Sequence, residues 1–421
     1  MTSLRWARIV IADPGLIDSI GHHLGYSYSV AAAAIARGTP AVILAGRSFP
    51  SAEVTGPIPC RPVFESLYQT AARQSAFRRL VYSASSHLPG NAGRAIAEGL
   101  RSARRMIQRV TLVADRLGEE LGVELQRMPD ACRALVLLHS VSSANLASLP
   151  AAIAPDAIGG LAVVLRRTPL EMDTTDAAPQ PVGTVVRALR RHFGTRLHLF
   201  ADTEELAQLY RDLLDDDIVV VPIPVVTPPV RPPYDGGLPH LVFAGGARAE
   251  KGYMLLPRLI QRLRGRARFT IHSGAITGDS DPLVQAAHRS LLALTDQDVV
   301  ILERSLSPDD YLALIGQADL LLLPYDAVAY GPRSSGILAE ARAMGVPATV
   351  PAGTWMESAR GPSDAVVFSC ADDFPLAVER ALADLPNLTR QYHAAAEPWR
   401  RLHNPDALYA MLTGETVPVP V

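Results

Sequence analysis

The sequence predicts an α/β protein built from two doubly wound parallel sheets in tandem. Short apolar, β-branched runs alternate with helical patterns along most of the 421 residues. The alternation stops at residues 222–239, which carry seven prolines and two adjacent glycines, and it resumes after them. A stretch of that composition is not compatible with a continuous strand or helix, so we predict a linker there. Alternating strands and helices are typical of parallel sheets covered by helices on both faces.

The first half of the chain contains the elements of one such sheet, and we place the N-terminal domain at residues 1–225. The apolar runs and the helical periodicity locate its elements. Strands are predicted at 8–12, 40–45, 134–138, 161–165, 197–200 and 218–222, and helices at 19–37, 184–193 and 204–214.

The second half repeats the pattern after a linker at 226–239, and we place the C-terminal domain at 240–385. Residues 386–421 are predicted to be a helical tail that packs on this domain or crosses back to the first. In doubly wound sheets, ligands bind outside the carboxyl ends of the strands, so we expect a cleft between the two domains. Strands are predicted at 240–244, 269–272, 299–302, 320–323, 348–350 and 365–368, and helices at 253–263, 283–294, 308–315, 335–344 and 374–385.

Composition restricts the class of protein. Hydrophobic residues make up 48% and charged residues 19% of the chain, which indicates a globular protein with well-buried strands. The net charge of -2 provides no global field that would attract nucleic acid. Cys60, Cys132 and Cys370 are far apart and form neither metal-ligand spacing nor a disulfide framework, which favours a reducing cytoplasm. We find no 18-residue apolar run and no signal-peptide pattern.

Lys251 is the only lysine in the chain, and all 39 other basic residues are arginine. It follows the strand 240–244 and a glycine-rich turn that begins at Gly245 and Gly246. Glycines let a ligand approach the backbone, and a helix N-terminus favours negative charge, so a phosphate is the expected ligand. A compact ammonium is not interchangeable with a guanidinium at such a turn. The alternative is a surface lysine in the first turn of a helix, paired with Glu250.

A second candidate anion site follows the apolar strand 320–323. Ser334, Ser335 and Gly336 lie where a helix is predicted to begin, so their N–H groups and hydroxyls are available to an anion. Glu340 lies about one turn further along, where a carboxylate can accept hydrogen bonds from a ribose diol. For a single turn, a serine N-cap and an ordinary surface glutamate are the favoured explanation. Two anion sites with a carboxylate between them favour a nucleoside diphosphate.

These residues resemble the donor half of the retaining GT-B glycosyltransferases. The resemblance rests on Arg-Ala-Glu-Lys-Gly at 248–252 and on Ser-Ser-Gly, three residues, Glu-Ala, two residues, Met-Gly-Val-Pro at 334–347. The chain is similar in particular to the family-4-like bacterial enzymes that build glycolipids, lipopolysaccharide and capsule. The resemblance implies two Rossmann-like domains and a nucleotide-diphosphate sugar held as substrate, without a cofactor. It also implies that Arg248 and Lys251 bind the diphosphate and Glu340 the ribose.

Two positions depart from the family pattern. The family commonly has a glutamate eight positions before the residue equivalent to Glu340, where this chain has Pro332. Its arginine usually stands five positions before the lysine, where this chain has Gly246, and the nearest arginine is Arg248. The first departure removes a carboxylate that would hold the donor sugar.

Candidate residues of the first domain follow its strands. Gly21, His22 and His23 come after the first strand, where the resemblance implies a turn that faces the donor phosphate and the acceptor. The alternative is a loop that ends in solvent-facing histidines. His139 follows the strand 134–138, and the resemblance implies a position near the donor sugar. A satisfied structural histidine is the competing interpretation.

The acidic pairs do not indicate a metal site. Asp202–Glu205 and Asp309–Asp310 are most simply the first turns of capped helices, where acidic side chains favour the positive end of the dipole. Asp215–Asp217 ends a helix. Spaced Asp-x-Asp metal ligands are not required by GT-B enzymes, so we assign no metal.

Residues 71–110 contain eight arginines and a single acidic residue, Glu98, interleaved with apolar side chains. The segment is an amphipathic surface for peripheral contact with anionic lipid at the inner membrane face, or a solvated basic helix pair.

We therefore expect a cytoplasmic, metal-independent hexosyltransferase that moves a sugar from a nucleotide-diphosphate sugar to an acceptor. The acceptor, whether glycolipid, polysaccharide or protein, is unidentified, and the resemblance implies retention at the anomeric carbon. A non-catalytic GT-B scaffold that binds a nucleotide sugar or a partner is the main alternative. An epimerase or a phosphorylase is a third, although Lys251 lies on a phosphate turn and no pyridoxal lysine is identified.

Overall fold

The computed structural model describes residues 6–17, 22–50, 58–65, 115–173, 181–226, 229–277 and 280–415. These residues divide into two compact units. The first comprises the described residues up to Val226 together with 403–415, and the second comprises 229–402. Each unit contains one parallel sheet, as the alternation of strands and helices predicts.

The sheet of the first unit has seven strands in the order β3-β2-β1-β4-β5-β6-β7. The order reverses between β1 and β4, which pair in parallel, and such a switch point is where doubly wound sheets bind ligands. Its central strands are apolar because both of their faces are buried, whereas the edge strands β3 and β7 are partly exposed. The strands of this sheet are β1 Arg8–Asp13, β2 Ala41–Gly46, β3 Cys60–Phe64, β4 Ala134–Leu138, β5 Gly160–Leu165, β6 Leu197–Ala201 and β7 Val219–Val220.

Helices cover both faces of this sheet. Val10 and Val136 pack into one core, whereas Ile9 and Ile11 pack into the other, so successive residues of a strand point to opposite layers. Within the described residues the helices are α1 His22–Ala36, α2 Leu117–Gln126, α3 Ser143–Ala152, α4 Pro169–Asp173, α5 Val182–Phe193 and α6 Glu204–Leu214.

The sheet of the second unit has six strands in the equivalent order, β10-β9-β8-β11-β12-β13. Its switch point lies between β8 and β11, which pair in parallel. The strands are β8 His240–Phe243, β9 Arg268–His272, β10 Val299–Leu302, β11 Leu320–Leu322, β12 Ala348–Pro351 and β13 Val367–Phe368.

The helices of the second unit follow its strands, and four of those described begin at a side-chain cap. Ser307, for example, accepts a hydrogen bond from the N–H of Asp310 at the start of α9, as predicted. The helices are α7 Leu256–Leu263, α8 Pro282–Leu292, α9 Pro308–Gly316, α10 Ala327–Tyr330, α11 Gly336–Met344, α12 Trp355–Ala359, α13 Phe374–Ala383 and α14 Leu385–Leu402.

The predicted helical tail consists of two helices, because the helical structure is interrupted between α14 and α15 (Pro405–Thr413). Asn404 caps α15 by accepting a hydrogen bond from the N–H of Ala407 at 2.8 Å. Leu408 and Leu412 of α15 are buried in the first unit's core with Ile9 and Ile11. The last helix, α15, therefore belongs to the first unit, whereas α14 belongs to the second unit.

Candidate functional site

The switch point of the second sheet brings together the two segments that the sequence singles out. One segment leaves β8 and leads through Lys251 to α7, and the other leaves β11 and leads through Ser335 to α11. Because β8 and β11 are hydrogen-bonded neighbours, both segments cross the same edge of the sheet. Phosphate- and nucleotide-binding segments of doubly wound folds lie at this edge.

The turn that carries Lys251 is held against the end of β11. Two 3-10 turns, Ala249–Lys251 and Tyr253–Leu255, precede α7, so the predicted helix begins later than its apolar pattern does. Between them, Gly252 has φ +68, and a Cβ at this position would lie 1.8 Å from the Pro324 carbonyl oxygen. No side chain other than hydrogen fits there, so Gly252 sets the position of Lys251.

The side chain of Lys251 is enclosed, and the interpretation of it as a surface lysine is wrong. Its exposed fraction is 8%. A Cβ on Gly245 would lie 3.0 Å from the Lys251 Cδ, so this glycine leaves room for the lysine stem. Gly246 follows with φ +68, and its N–H donates to the His272 carbonyl at 3.2 Å. The Lys251 ammonium lies 5.5 Å from the centroid of the Tyr325 ring.

Burial lowers the pKa of Lys251 well below its ordinary value, and the positive charges of Arg248 and Arg333 act in the same direction. The carboxylates of Glu250 and Glu340 act in the opposite direction but do not compensate. In the part of the chain that the structure describes, no hydrogen bond joins the ammonium to a carboxylate. An anionic ligand would supply the missing partner.

Arg248 and Glu250 flank Lys251 on the same turn. The Arg248 side chain is 55% exposed, and its Nε lies 3.7 Å from Oε1 of Glu250, whose side chain is 19% exposed. The backbone carbonyl of Glu250 accepts a hydrogen bond from the N–H of Asp326 at 3.0 Å, which ties this turn to the segment after β11. The Arg248 guanidinium is therefore accessible from solvent, whereas the Lys251 ammonium on the same turn is enclosed.

The predicted start of α11 is confirmed. Ser335 is its N-cap, and its Oγ accepts a hydrogen bond from the N–H of Leu338 at 3.4 Å. Ser334 is partly exposed, and a Cβ on Gly336 would meet open space. The first-turn N–H groups of an α-helix have no acceptor within the helix, and the dipole makes this end positive. The helix start thus presents donors beside the Lys251 turn.

Glu340 lies one turn into α11. Burial raises the pKa of Glu340 to about 8, although the charge of Lys251 opposes the shift. At neutral pH the carboxyl group is therefore mostly protonated, and it can both donate and accept a hydrogen bond. Such a group suits a diol, which also donates and accepts.

Arginine and tyrosine side chains surround Pro332, where the resemblance leads us to expect a glutamate. The Arg333 guanidinium lies 5.1 Å from the centroid of the Tyr330 ring. The rings of Tyr330 and Tyr325 are 4.4 Å apart. The edge of the site at this position is therefore aromatic and cationic.

At the switch point of the first sheet, Asp13 is completely buried at the end of β1. Its carboxylate accepts hydrogen bonds from the Gly15 N–H at 3.0 Å and from the Ser27 hydroxyl at 3.2 Å. His23 Nδ1 is 3.0 Å from Oδ1, and His139 Nε2 is 3.1 Å from Oδ2. The predicted residues His23 and His139 therefore meet at one carboxylate, and His23 does not face solvent as the alternative proposes.

His139 is enclosed by its neighbours, with an exposed fraction of 1%. Its Nδ1 is 3.0 Å from the Ser140 hydroxyl, and the Tyr26 ring stacks on it at 4.3 Å. Burial lowers the pKa of His139 in spite of the nearby Asp13 charge. We assign the neutral tautomer with the proton on Nε2, because this nitrogen faces a carboxylate oxygen, and Nδ1 then accepts from Ser140.

Burial by itself would raise the pKa of Asp13, but the electrostatic interactions and hydrogen bonds with His139 and His23 outweigh it. The pKa of Asp13 lies below its ordinary value of 3.8, so the carboxylate is charged. The carboxylate network is closed, because Asp13, Ser27, His23 and His139 each have a partner inside the unit. The hydroxyl of Tyr26, whose ring stacks on His139, lies outside this network and has no partner among the described residues.

The sequence reasoning did not single out Asp13 or Ser27 as site residues. The signal was present in part, because Asp13 directly follows the first apolar strand. The register pairs Ile11 with Leu137, which brings Asp13 beside His139 two residues later. Only the strand order reveals this, and it is not readable from the local pattern.

Several predicted features lie outside the described residues. These are Gly21 and the basic segment 71–110. The backbone of His22 begins α1, but its side chain is also outside the description. Among the described residues, no cluster of three or more His, Cys, Asp or Glu side chains could hold a metal ion. No helix in the same residues is long and apolar enough to cross a bilayer.

Solved structures with a similar fold cover nearly the whole chain. Sucrose-phosphate synthase from Thermosynechococcus elongatus matches with a TM-score of 0.67 and 12% identity, over 97% of this chain and 98% of that chain. A UDP-forming α,α-trehalose-phosphate synthase from Burkholderia xenovorans matches with a TM-score of 0.60 and 12% identity, over the same 97% and 98%. HepE from Anabaena, in complex with UDP and glucose, matches with a TM-score of 0.56 and 11% identity, again over 97% and 98%.

These similarities show that the fold is that of the GT-B glycosyltransferases. No protein-family model matches the sequence, and no curated protein is similar to it.

Proposed function

We propose that this chain is a glycosyltransferase that moves a sugar from a nucleoside-diphosphate sugar to an acceptor hydroxyl. The observation that carries the proposal is the buried ammonium of Lys251, which lies at the switch point of the second sheet beside the start of α11. A buried cation without a hydrogen-bonded carboxylate is costly unless an anion completes it. Four of the solved structures that share the fold are described as UDP-forming or as complexes with UDP.

In this proposal Lys251 and Arg248 bind the diphosphate. The N–H groups and hydroxyls at Ser334–Gly336 add donors at the positive end of a helix. The leaving diphosphate gains negative charge as the glycosidic bond breaks, and preorganised cations and N–H groups stabilise that charge. Glu340 binds the ribose diol through its carboxyl group. Gly245 and Gly246 have no side chains, so the phosphates can approach the backbone closely.

The first unit supplies the acceptor side, through the segment with Gly21, His22 and His23. The Asp13–His139 pair positions the start of α1, from which His23 projects. A direct contact of His139 with the donor sugar, as the resemblance implies, requires the ring to give up a hydrogen bond to Asp13 or Ser140. Retention of configuration and independence from metal ions complete the proposal.

The test is turnover with a panel of UDP-, GDP- and ADP-sugars, measured as released nucleoside diphosphate. Lys251→Ala should abolish release while the circular dichroism spectrum stays that of the wild type. Lys251→Arg is the matched variant, because it keeps the charge but offers a wider head group at an enclosed position. Full activity of Lys251→Ala would remove the diphosphate-binding role of this residue.

A non-catalytic nucleotide-sugar-binding scaffold is the second candidate, and Pro332 favours it because the carboxylate expected there is absent. The same panel separates the two candidates. Nucleotide sugars that raise the melting temperature without any release of nucleoside diphosphate, with every acceptor supplied, support the scaffold.

We also propose a cytoplasmic location with peripheral contact at the inner membrane face through residues 71–110. The eight arginines of this segment predict binding to anionic vesicles that decreases as salt rises. Sedimentation with phosphatidylglycerol vesicles at low and high salt tests this. Equal sedimentation with neutral vesicles would contradict it.

A further inference from the structure

Two buried polar atoms beside the Lys251 turn have no hydrogen-bond partner among the described residues. They are the hydroxyl of Tyr325 and Oε2 of Glu250. Tyr325 is 2% exposed, so water does not replace the missing partner at the surface of the protein. Native structures rarely leave such groups unpaired, because each one loses its hydration without compensation. An unpaired pair at the edge of a ligand-binding sheet points to a ligand that completes it.

The two atoms belong to one place. Tyr325 follows β11, and its ring lies 5.5 Å from the Lys251 ammonium. The N–H of Asp326, the next residue, donates to the Glu250 carbonyl. The charge of Glu250 raises the pKa of both Tyr325 and Lys251, which is consistent with that placement.

The start of α11 borders the same place. Burial raises the pKa of Tyr325 well above its ordinary value, while the nearby Ser335 hydroxyl acts in the opposite direction. The Tyr325 hydroxyl is nevertheless not within hydrogen-bonding geometry of any group of the described residues, and Ser335 Oγ accepts from the N–H of Leu338. A phenol that is almost fully buried therefore lies at the beginning of a nine-residue helix without a partner.

The chemistry of the pair selects the type of group it can take. A charged carboxylate only accepts hydrogen bonds, whereas a phenol both donates and accepts. Together they suit hydroxyl groups, which also donate and accept. A carboxylated group would instead be repelled by Glu250 in a place where the low dielectric strengthens electrostatic effects. The adjacent cations, Arg248 and Lys251, account for an anionic part of the same ligand.

We propose that Glu250 and Tyr325 form a hydroxyl-binding site that selects a neutral transferred sugar over a carboxylated one. The proposal rests on the proposed function and names the class of donor: a nucleoside diphosphate joined to a neutral hexose rather than to a uronic acid. Glu250 takes the place of the carboxylate that Pro332 does not supply.

Isothermal titration calorimetry with UDP, UDP-glucose, UDP-galactose and UDP-glucuronic acid tests the proposal. The wild type should bind the better of the two neutral sugars about tenfold more tightly than UDP-glucuronic acid, as expected for a hydrogen bond to a charged group. Glu250→Gln should weaken that neutral sugar about tenfold and reduce the discrimination against the acidic one. Tyr325→Phe should weaken the neutral sugar by several-fold, and neither variant should change UDP binding by more than about twofold.

Tyr392→Phe is the matched control. Its hydroxyl is also buried without a partner among the described residues, but Tyr392 belongs to α14 and its ring faces the Arg342 guanidinium. This variant should bind all four nucleotides as the wild type does.

Equal losses for UDP and for the UDP-hexoses in Glu250→Gln and Tyr325→Phe would overturn the proposal, since the pair would then act on the diphosphate or on the fold. A wild-type preference for UDP-glucuronic acid would also overturn it. Both results leave the proposed function intact, because UDP still binds. Loss of UDP binding by the wild type itself contradicts the proposed function and this proposal together.

Discussion

The two sheets have the same winding but opposite electrostatics at their switch points. In the first unit, Asp13 lies between His23, Ser27 and His139, and these groups satisfy one another. In the second unit, Lys251 is buried without a hydrogen-bonded carboxylate, and the Tyr325 hydroxyl has no partner in the described residues. Both clusters lie where the segments after two neighbouring parallel strands leave the sheet.

The difference suggests that the switch point has a structural role in the first sheet and a ligand-binding role in the second. A closed network of buried polar groups stabilises the unit that contains it. An open set of buried polar groups costs stability, and the cost is recovered only when a ligand binds. We therefore expect substitutions in the first cluster to affect folding, and substitutions in the second to affect binding.

The largest effect is expected for Asp13→Ala. Removing the carboxylate leaves His139, Ser27 and the Gly15 N–H without their acceptor, and breaking a buried charged network costs about 3–5 kcal/mol. The free energy of unfolding, measured by urea denaturation with a probe in the first unit, should fall by this amount. Asp217→Ala, which removes an exposed carboxylate, should leave it unchanged. A small loss for Asp13→Ala would show that the network is not closed.

For Lys251→Met we expect the opposite result: stability is maintained and ligand affinity is lost. The methionine keeps the length and removes the buried charge, so the ligand-free protein should be as stable as the wild type or more stable. The affinity for UDP should fall roughly ten- to hundredfold, because charge-assisted hydrogen bonds are lost. Thermal denaturation without ligand and calorimetry with UDP measure the two effects. A marked loss of ligand-free stability would place Lys251 in the same class as Asp13.

Gly336→Ala tests the start of α11 with a smaller change. A Cβ meets open space in the ligand-free protein, and alanine is the better helix former, so stability should be maintained. The added methyl group occupies the side from which a phosphate would approach, and UDP should bind about tenfold more weakly. Unchanged affinity would mean that the phosphate does not contact this helix start.

The smallest effect is a pH dependence of opposite sign in the two clusters. Glu340 has its pKa raised from 4.5 to about 8, so the folded state holds a proton that the unfolded state loses, and stability decreases as pH rises through this range. Asp13 has its pKa lowered below 3.8, so its contribution is present above that value and is lost as pH falls.

Glu340→Gln isolates the first of these contributions. The melting temperature of the variant relative to the wild type should increase between pH 5 and pH 8, because only in the wild type does the unfolded state gain stability by losing the Glu340 proton. A constant difference across this range would show that Glu340 ionises normally. This measurement is made on the ligand-free protein, without UDP.

Local pattern was sufficient for much of the architecture. The strand at 320–323 is predictable from its apolar run. The start of α11 is predictable from the serine and glycine residues that cap helices. The pattern did not reveal β3, whose sequence contains Pro62 and lacks alternation, or α3, which holds Pro150 inside the helix. A proline counts against both element types in isolation, and tertiary packing overrides that preference.

The candidate site divides in the same way. The chain itself pointed to Lys251, Ser335 and Glu340, because a glycine-rich turn and a helix start after apolar strands have recognisable chemistry at short range. The pairing of Asp13 with His139, the unpartnered hydroxyl of Tyr325 and the enclosure of Lys251 by Gly245 and Gly252 came from the three-dimensional packing. Each depends on which strands are neighbours and on how much water remains around a polar atom. Those quantities are set by contacts between distant segments, and no run of adjacent residues contains them.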